Sequence, residues 1–164
     1  MKYGTVLILL FDMLILDGFV DGQQKIPEFK KASFYKILSD GSEIDLDQQL
    51  DVLKLSSFEG KEAFEGTLMM KKAGIIKGAK NKLNLFRAGH KKLEAVLQKD
   101  SLNVEFRFLR LIIQEHSPGI LGYKSELDKD KNYVRENFKK LTAVVQQAVI
   151  DYSKTSRVLS LENY

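Results

Sequence analysis

The feature that most constrains the fold is a helical repeat of apolar residues, which continues with short breaks from Pro27 to Ser153. Apolar residues recur three and four positions apart, the spacing that places them on one face of an α-helix. Short clusters that contain glycine, asparagine, aspartate or proline interrupt the repeat, and such clusters mark helix ends. There are only two prolines and little sign of strands. The pattern therefore predicts an all-α protein.

The breaks define six predicted helices. Ser42 or Asp45 is suited to cap the second helix and Asn103 to cap the fifth, because their side chains can accept a hydrogen bond from a free backbone N–H. The fifth helix is the most apolar of this part of the chain, so we expect it to lie at the centre. Gly60 and Gly66 imply close packing of the third helix. The helices run approximately over residues 27–38, 42–55, 57–73, 81–97, 104–113 and 129–153.

The short turns between these helices favour antiparallel helix pairs, stacked as a short tetratricopeptide-like solenoid or bundle. Residues 93–103 look like the end of one tetratricopeptide repeat and the start of the next. The 34-residue period is not kept, however, and Ser101 stands where a proline usually follows the aspartate. The prediction is therefore a tetratricopeptide-like architecture, not an array of true repeats.

Residues 86–97, followed by residues 103–116 and 118–123, resemble a group of uncharacterised exported proteins. These are small helical proteins of Bacteroidetes-type bacteria. The resemblance covers roughly residues 58–141 and is strongest from Glu105 to Tyr123. It implies a helical fold and a leader peptide, and it implies no activity.

Residues 1–22 have the layout of a secretory signal peptide. Lys2 precedes an apolar run over residues 5–16, and Val20-Asp21-Gly22 supplies small residues before a cleavage site at Gln23. Asp12 interrupts the run, and a carboxylate there resists transfer into lipid by about 2.5–3.5 kcal/mol. The alternative is a buried strand or helix of an intact cytosolic domain. A membrane anchor is disfavoured, because a spanning helix needs about 20 continuous apolar residues.

This leader predicts a periplasmic or secreted protein with three parts: a signal peptide (1–22), a single helical domain (23–154) and a frayed tail (155–164). Without the leader the net charge would exceed the +4 of the whole chain, because residues 1–22 hold three aspartates and one lysine. The chain contains no cysteine, which excludes disulfides, thiolate metal sites and cysteine nucleophiles.

Catalytic motifs are also missing from the sequence. It contains no nucleophile elbow, phosphate-binding loop or dinucleotide fingerprint. His90 and Glu94 share one helix face, but a catalytic zinc needs at least one further ligand and the adjacent Lys91 and Lys92 oppose a cation. His116 is placed to interact with a helix dipole. We therefore expect no enzyme, no cofactor and no metal ion, with a hydrolase that uses His90 or His116 as a remote alternative.

A polar stripe crosses the otherwise apolar fifth helix. Its members are separated by four, three and four residues, which places them on one face. In a helical solenoid such a stripe can line the concave surface that holds a partner, and two arginines in register can clamp a carboxylate. The alternative is that the arginines pair with Glu105, Glu115 or acids of neighbouring helices. The stripe consists of Asn103, Arg107, Arg110 and Gln114.

A basic region without any acidic residue extends from Gly66 to Leu93. Such a region can attract anionic lipid, anionic glycan or an acidic protein. The alternative is a solvated helical hairpin, and nucleic acid is disfavoured because aromatic residues do not interleave with the basic ones. The basic side chains are those of Lys71, Lys72, Lys77, Lys80, Lys82, Arg87, Lys91 and Lys92.

Together these features predict an exported helical interaction module that binds a protein segment through the polar stripe. The alternative function is binding of anionic lipid or glycan through the basic region.

Overall fold

The structure, a computed structural model, describes residues 28–161, which form seven α-helices and two short 3₁₀-helices with no β-strand in that range. The prediction of an all-α fold is confirmed. The 3₁₀-helices span Gly119–Leu121 and Phe138–Lys140. The α-helices are α1 (Lys31–Asp40), α2 (Glu43–Leu55), α3 (Lys61–Ile75), α4 (Ala79–Lys99), α5 (Val104–His116), α6 (Leu127–Glu136) and α7 (Ala143–Ser153).

Two helices begin where the sequence predicts a cap. Ser42 precedes α2 and forms a reciprocal pair with Asp45, in which each side chain accepts from the other residue's backbone N–H. Asn103 precedes α5 and accepts from the backbone N–H of Phe106 at 3.2 Å. Each cap satisfies a backbone donor that the helix itself leaves free.

Two glycines allow a close contact between α3 and α4. A Cβ atom on Gly66 of α3 would meet the carbonyl oxygen of Gly89 of α4 at 2.5 Å, and a Cβ on Gly89 would meet that of Gly66 at the same distance. Only residues without a Cβ allow this approach, so α3 and α4 form a tight hairpin. The predicted close packing of α3 is confirmed at Gly66. The predicted close packing is also confirmed at Gly60, which has a φ of 77° and faces the Phe106 ring.

Helix α5 lies at the centre, as predicted. It packs against α3, α4 and α6, while α1 packs against α2 and α7. Phe108, Leu109 and Leu111 of α5 are completely buried. The ring of Phe108 contacts that of Tyr152 on α7, with 5.7 Å between the ring centroids.

The predicted sixth helix is wrong as a single element, because it is divided into α6 and α7. Asn137 ends α6, and its side-chain amide donates to the carbonyl of Tyr133. The side chain of Gln146 then donates to the carbonyls of Phe138 and Leu141. The break satisfies these backbone groups and lets α6 pack on α5 while α7 packs on α1. An apolar stripe that continues across the break conceals it in the sequence.

Both ends of the domain differ from the predictions. The first helix begins at Lys31, and Pro27 lies outside the described residues. At the other end, residues 155–161 return to the helices, whereas the sequence predicts a frayed tail. Leu159 is completely buried there, and Glu115 accepts hydrogen bonds from the hydroxyl of Ser156 and the backbone N–H of Arg157. The predicted signal peptide, residues 1–22, also lies outside the described residues.

Candidate functional site

The polar stripe of α5 is not an open surface. Asn103 is used as the helix cap, and Arg107, Arg110 and Gln114 are only 7%, 8% and 1% exposed. The expectation that these side chains line a concave binding surface is therefore wrong. Helical spacing placed them correctly on one face, but α4 and α6 cover that face.

Asp130 of α6 is the acid that meets the two arginines. It is completely buried. Its Oδ2 accepts from Nε of Arg110 at 2.6 Å, and its Oδ1 accepts from Nη2 of Arg110 at 2.9 Å and from Nη1 of Arg107 at 3.1 Å. Arg107 also donates to the carbonyl of Ser101 and stacks on the ring of Tyr133, 4.3 Å from its centroid. The alternative interpretation, pairing with acids of neighbouring helices, describes this arrangement.

Glu94 of α4 extends the same cluster. Its Oε2 accepts from Nη1 of Arg110 at 3.0 Å, and its Oε1 accepts from the hydroxyl of Tyr123 at 2.5 Å. Burial raises the pKa of Tyr123, and the neighbouring Glu94 raises it further. Burial alone would lower the pKa of Arg110, but Asp130 and Glu94 outweigh it and the net shift is upward. Both side chains thus keep their protons, and the cluster joins α4, α5 and α6.

The two histidines each pack against neighbouring groups of the domain. His90 packs edge-on against the ring of Tyr123, with 4.6 Å between centroids, and Glu94 is occupied by Arg110 and Tyr123. His116 Nδ1 lies 2.9 Å from the carbonyl oxygen of Ile112 on its own helix. Among residues 28–161, no three histidine or acidic side chains are grouped so that they could hold a metal ion.

The basic region separates into three sets. Lys72 pairs with Asp47 and Lys92 with Glu65, so these two are neutralised within the chain. Lys71 and Lys82 donate only to backbone carbonyls. The remaining four are exposed on the hairpin: Lys77, Lys80, Arg87 and Lys91. Two of the eight charges are therefore paired, and the other six form no ion pair with the described residues.

A large apolar cleft is the feature that the sequence analysis missed. It has a volume of about 1160 Å³ and lies between α1, α3, α4, α5, α7 and the first 3₁₀-helix. Its inner wall is made of core side chains such as Leu38, Met70 and Phe108. Its rim includes large apolar side chains that are open to water, with Ile120 95% and Val144 44% exposed.

A second cavity of about 750 Å³ continues the cleft along α4. The two cavities share several lining residues, so they adjoin each other. A signal for them is present in the sequence, since Ile75-Ile76 and Ile120-Leu121 are apolar pairs at helix ends beside glycines, where turns are usually polar. The shared residues are Ala79, Leu83, Phe86, Ile120 and Leu121.

No helix within residues 28–161 is both long enough and apolar enough to span a membrane. Comparison with family models, with curated proteins and with solved structures gave no match to this chain.

Proposed function

We propose that this protein is a helical binding module whose cleft holds the acyl chain of an amphiphile. The single observation that carries the proposal is the apolar cleft of about 1160 Å³. Ligand sites in proteins are concave and mostly apolar, with volumes of about 300–1,000 Å³, so this cleft is large enough for a long-chain ligand. Exposed apolar side chains at its rim also fit a binding site, because large open apolar patches are uncommon on proteins that bind nothing.

The lining of the cleft favours an acyl chain over a protein segment. Its inner wall is formed by Leu38, Met70 and Phe108, each at most 3% exposed, so a ligand that enters meets apolar side chains of the core. An extended peptide would bury backbone N–H and C=O groups against walls that offer few partners. A methylene chain needs no hydrogen bonds and can enter completely.

This proposal moves the site away from the polar stripe. Capture of a protein segment by Arg107, Arg110 and Gln114 would need three buried side chains, and the two arginines among them are already paired. The proposed acyl-chain site is closer to the alternative function, binding of anionic lipid or glycan, because the cleft borders the basic region at Lys71 and Lys82.

The test is titration of the full chain with a fluorescent fatty acid below its micellar concentration. We expect saturable binding near one ligand per chain. Ala79→Trp, at an exposed position that lines both cavities, should weaken binding by about tenfold or more, since it fills the space the chain would occupy. Ala95→Trp is the matched control, because Ala95 is exposed on the same helix and lies outside the cleft.

Two results would overturn the proposal. One is an absence of saturable binding by the acyl chain, and the other is equal affinity of Ala79→Trp and the unaltered protein. Saturable binding of amphipathic peptides alone would assign the cleft to a protein partner instead. Because the chain has no tryptophan of its own, the introduced indole also reports directly on ligand contact.

We also propose that this module is exported and that its helices are arranged as a tetratricopeptide-like solenoid. The tight α3–α4 hairpin with α5 packed beside it supports the arrangement. The layout of residues 1–22 supports export. Recovery of a tagged full chain from the periplasm or medium is the expected result, and its retention in the cytosol would refute export.

A further inference from the structure

The polar groups that line the cleft are not balanced in charge. Its two carboxylates both have a lysine partner, since Asp40 pairs with Lys36 at 3.3 Å and Asp151 with Lys154 at 2.7 Å. The two other lysines of the lining, Lys71 and Lys82, form no ion pair with any residue of the described part of the chain. The cleft therefore carries an excess of positive charge.

These two lysines lie at the same end of the cleft. Lys71 Nζ donates to the carbonyl of Ser39 at 3.1 Å, and Lys82 Nζ donates to that of Gly74 at 3.2 Å. Gly74 lies three residues after Lys71 on α3, which places both on adjacent turns of one helix face. Lys82 Nζ is thus held at the carboxyl end of α3, and the Lys71 side chain extends from the same end of that helix to Ser39 at the end of α1.

Each ammonium group retains donors for a ligand. A lysine ammonium has three N–H donors, and the structure uses one of them on each side chain. Burial lowers the pKa of Lys71, and the nearby Asp40 offsets only part of that effect. A second negative group beside Lys71 would stabilise its charged form.

We propose that the cleft is selective for anionic amphiphiles, whose head group is bound by Lys71 and Lys82 while the acyl chain lies along the apolar walls. This inference rests on the proposed function and specifies its ligand class. The shared chemistry is a compact anionic oxygen group, which either the carboxylate of a fatty acid or the phosphate of a lysophospholipid can supply. Both accept charge-assisted hydrogen bonds from an ammonium group.

The experiment compares three ligands of equal chain length on the full chain: palmitate, hexadecanol and a palmitoyl lysophosphatidic acid. We expect the anionic ligands to bind about 10- to 100-fold more tightly than the alcohol, the range expected for hydrogen bonds to a charged group. The preference should fall as salt rises. Tighter binding of the carboxylate identifies a fatty acid as the source, and tighter binding of the phosphate identifies a lysophospholipid.

Variants then assign the preference to the two lysines. The double variant Lys71→Met/Lys82→Met keeps most of the side-chain length, and it should lose the preference for the anionic ligands while it retains binding of hexadecanol. Lys80→Met/Lys91→Met is the matched control, because both lysines are exposed on α4 and lie outside the cleft. Retained hexadecanol binding also shows that the variant is folded.

The two proposals fail in different ways. Equal affinity for hexadecanol and both anionic ligands, or an unchanged preference in Lys71→Met/Lys82→Met, would overturn the anionic selectivity and leave the acyl-chain cleft intact. No binding of any of the three ligands would overturn both.

Discussion

Replacement of Asp130 by asparagine tests the interpretation of the polar stripe most directly. Asp130 is completely buried and is the one carboxylate that accepts from both Arg107 and Arg110 in the described structure. Asparagine has nearly the same volume, so the packing of α6 on α5 is retained. The change removes the negative charge and places an amide N–H₂ group against an arginine N–H, where donor now faces donor.

The expected loss is large because two guanidinium groups remain buried. Removal of one partner of a buried ion pair typically costs about 3–5 kcal/mol of unfolding free energy, against a total of about 5–15 kcal/mol for a domain. With a urea m-value of about 2 kcal/mol/M, the unfolding midpoint should fall by about 1.5–2.5 M. The m-value itself should not change, because the same surface is exposed on unfolding.

The assay is urea denaturation followed by circular dichroism at the helical signal. Asp128→Asn is the matched control, since Asp128 lies in the same first turn of α6 but is highly exposed in its pair with Lys131. It should change stability by about 0.5 kcal/mol or less. A loss in Asp130→Asn no greater than that in Asp128→Asn would refute the reasoning that Asp130 compensates two buried charges.

Three further predictions concern the packing and the tail. Gly66→Ala should destabilise the fold by about 1–3 kcal/mol, because the new Cβ would meet the backbone of α4 at 2.5 Å. Gly74→Ala should stabilise the fold by about 0.5–1 kcal/mol, because its Cβ would meet nothing within 4 Å. Thermal denaturation distinguishes the two variants. Leu159→Ala should cost about 2–5 kcal/mol in chemical denaturation, whereas Leu102→Ala, at a residue 70% exposed, should cost little; equal effects would refute the docking of the tail. Burial alone would raise the pKa of Glu115, but hydrogen bonds from the tail and α7 outweigh burial and lower this pKa. The charged Glu115 therefore stabilises the fold above the ordinary glutamate pKa, and this stabilisation is lost as the pH falls below that value. Glu115→Gln should reduce the loss of stability in acid, as measured by denaturation across pH 2–7.

The sequence predicts those parts of the fold that depend on nearby residues. Ser42 and Asn103 cap their helices because a cap is a contact across three positions. The central place of α5 follows from its apolar composition alone. Gly66 indicates a close helix contact because few other roles require glycine inside a helix.

The candidate sites depend on contacts that no local pattern contains. Helical spacing shows that Arg107, Arg110 and Gln114 share a face, but it cannot show what covers that face. The acid that meets the arginines, Asp130, lies 20 residues beyond Arg110 on α6, so no local pattern pairs the two. The cleft is a gap between helices that are distant in sequence. An apolar residue in the sequence predicts that its side chain is buried, but it does not predict an empty space between two such helices.

The buried charges and the cleft are related through the rotation of α5. At about 100° per residue, the arginines at 107 and 110 lie on one side of this helix, while Phe108 and Ile112 lie toward the opposite side and line the cleft. Three hydrogen bonds to Asp130 hold the two arginines in a single geometry, and a rotation of α5 by one residue would break them. Apolar residues in place of such a cluster often supply comparable stability, because they avoid the cost of burying charge. We therefore expect the cluster to act through its geometry, by holding the arginines opposite the face of α5 that lines the cleft.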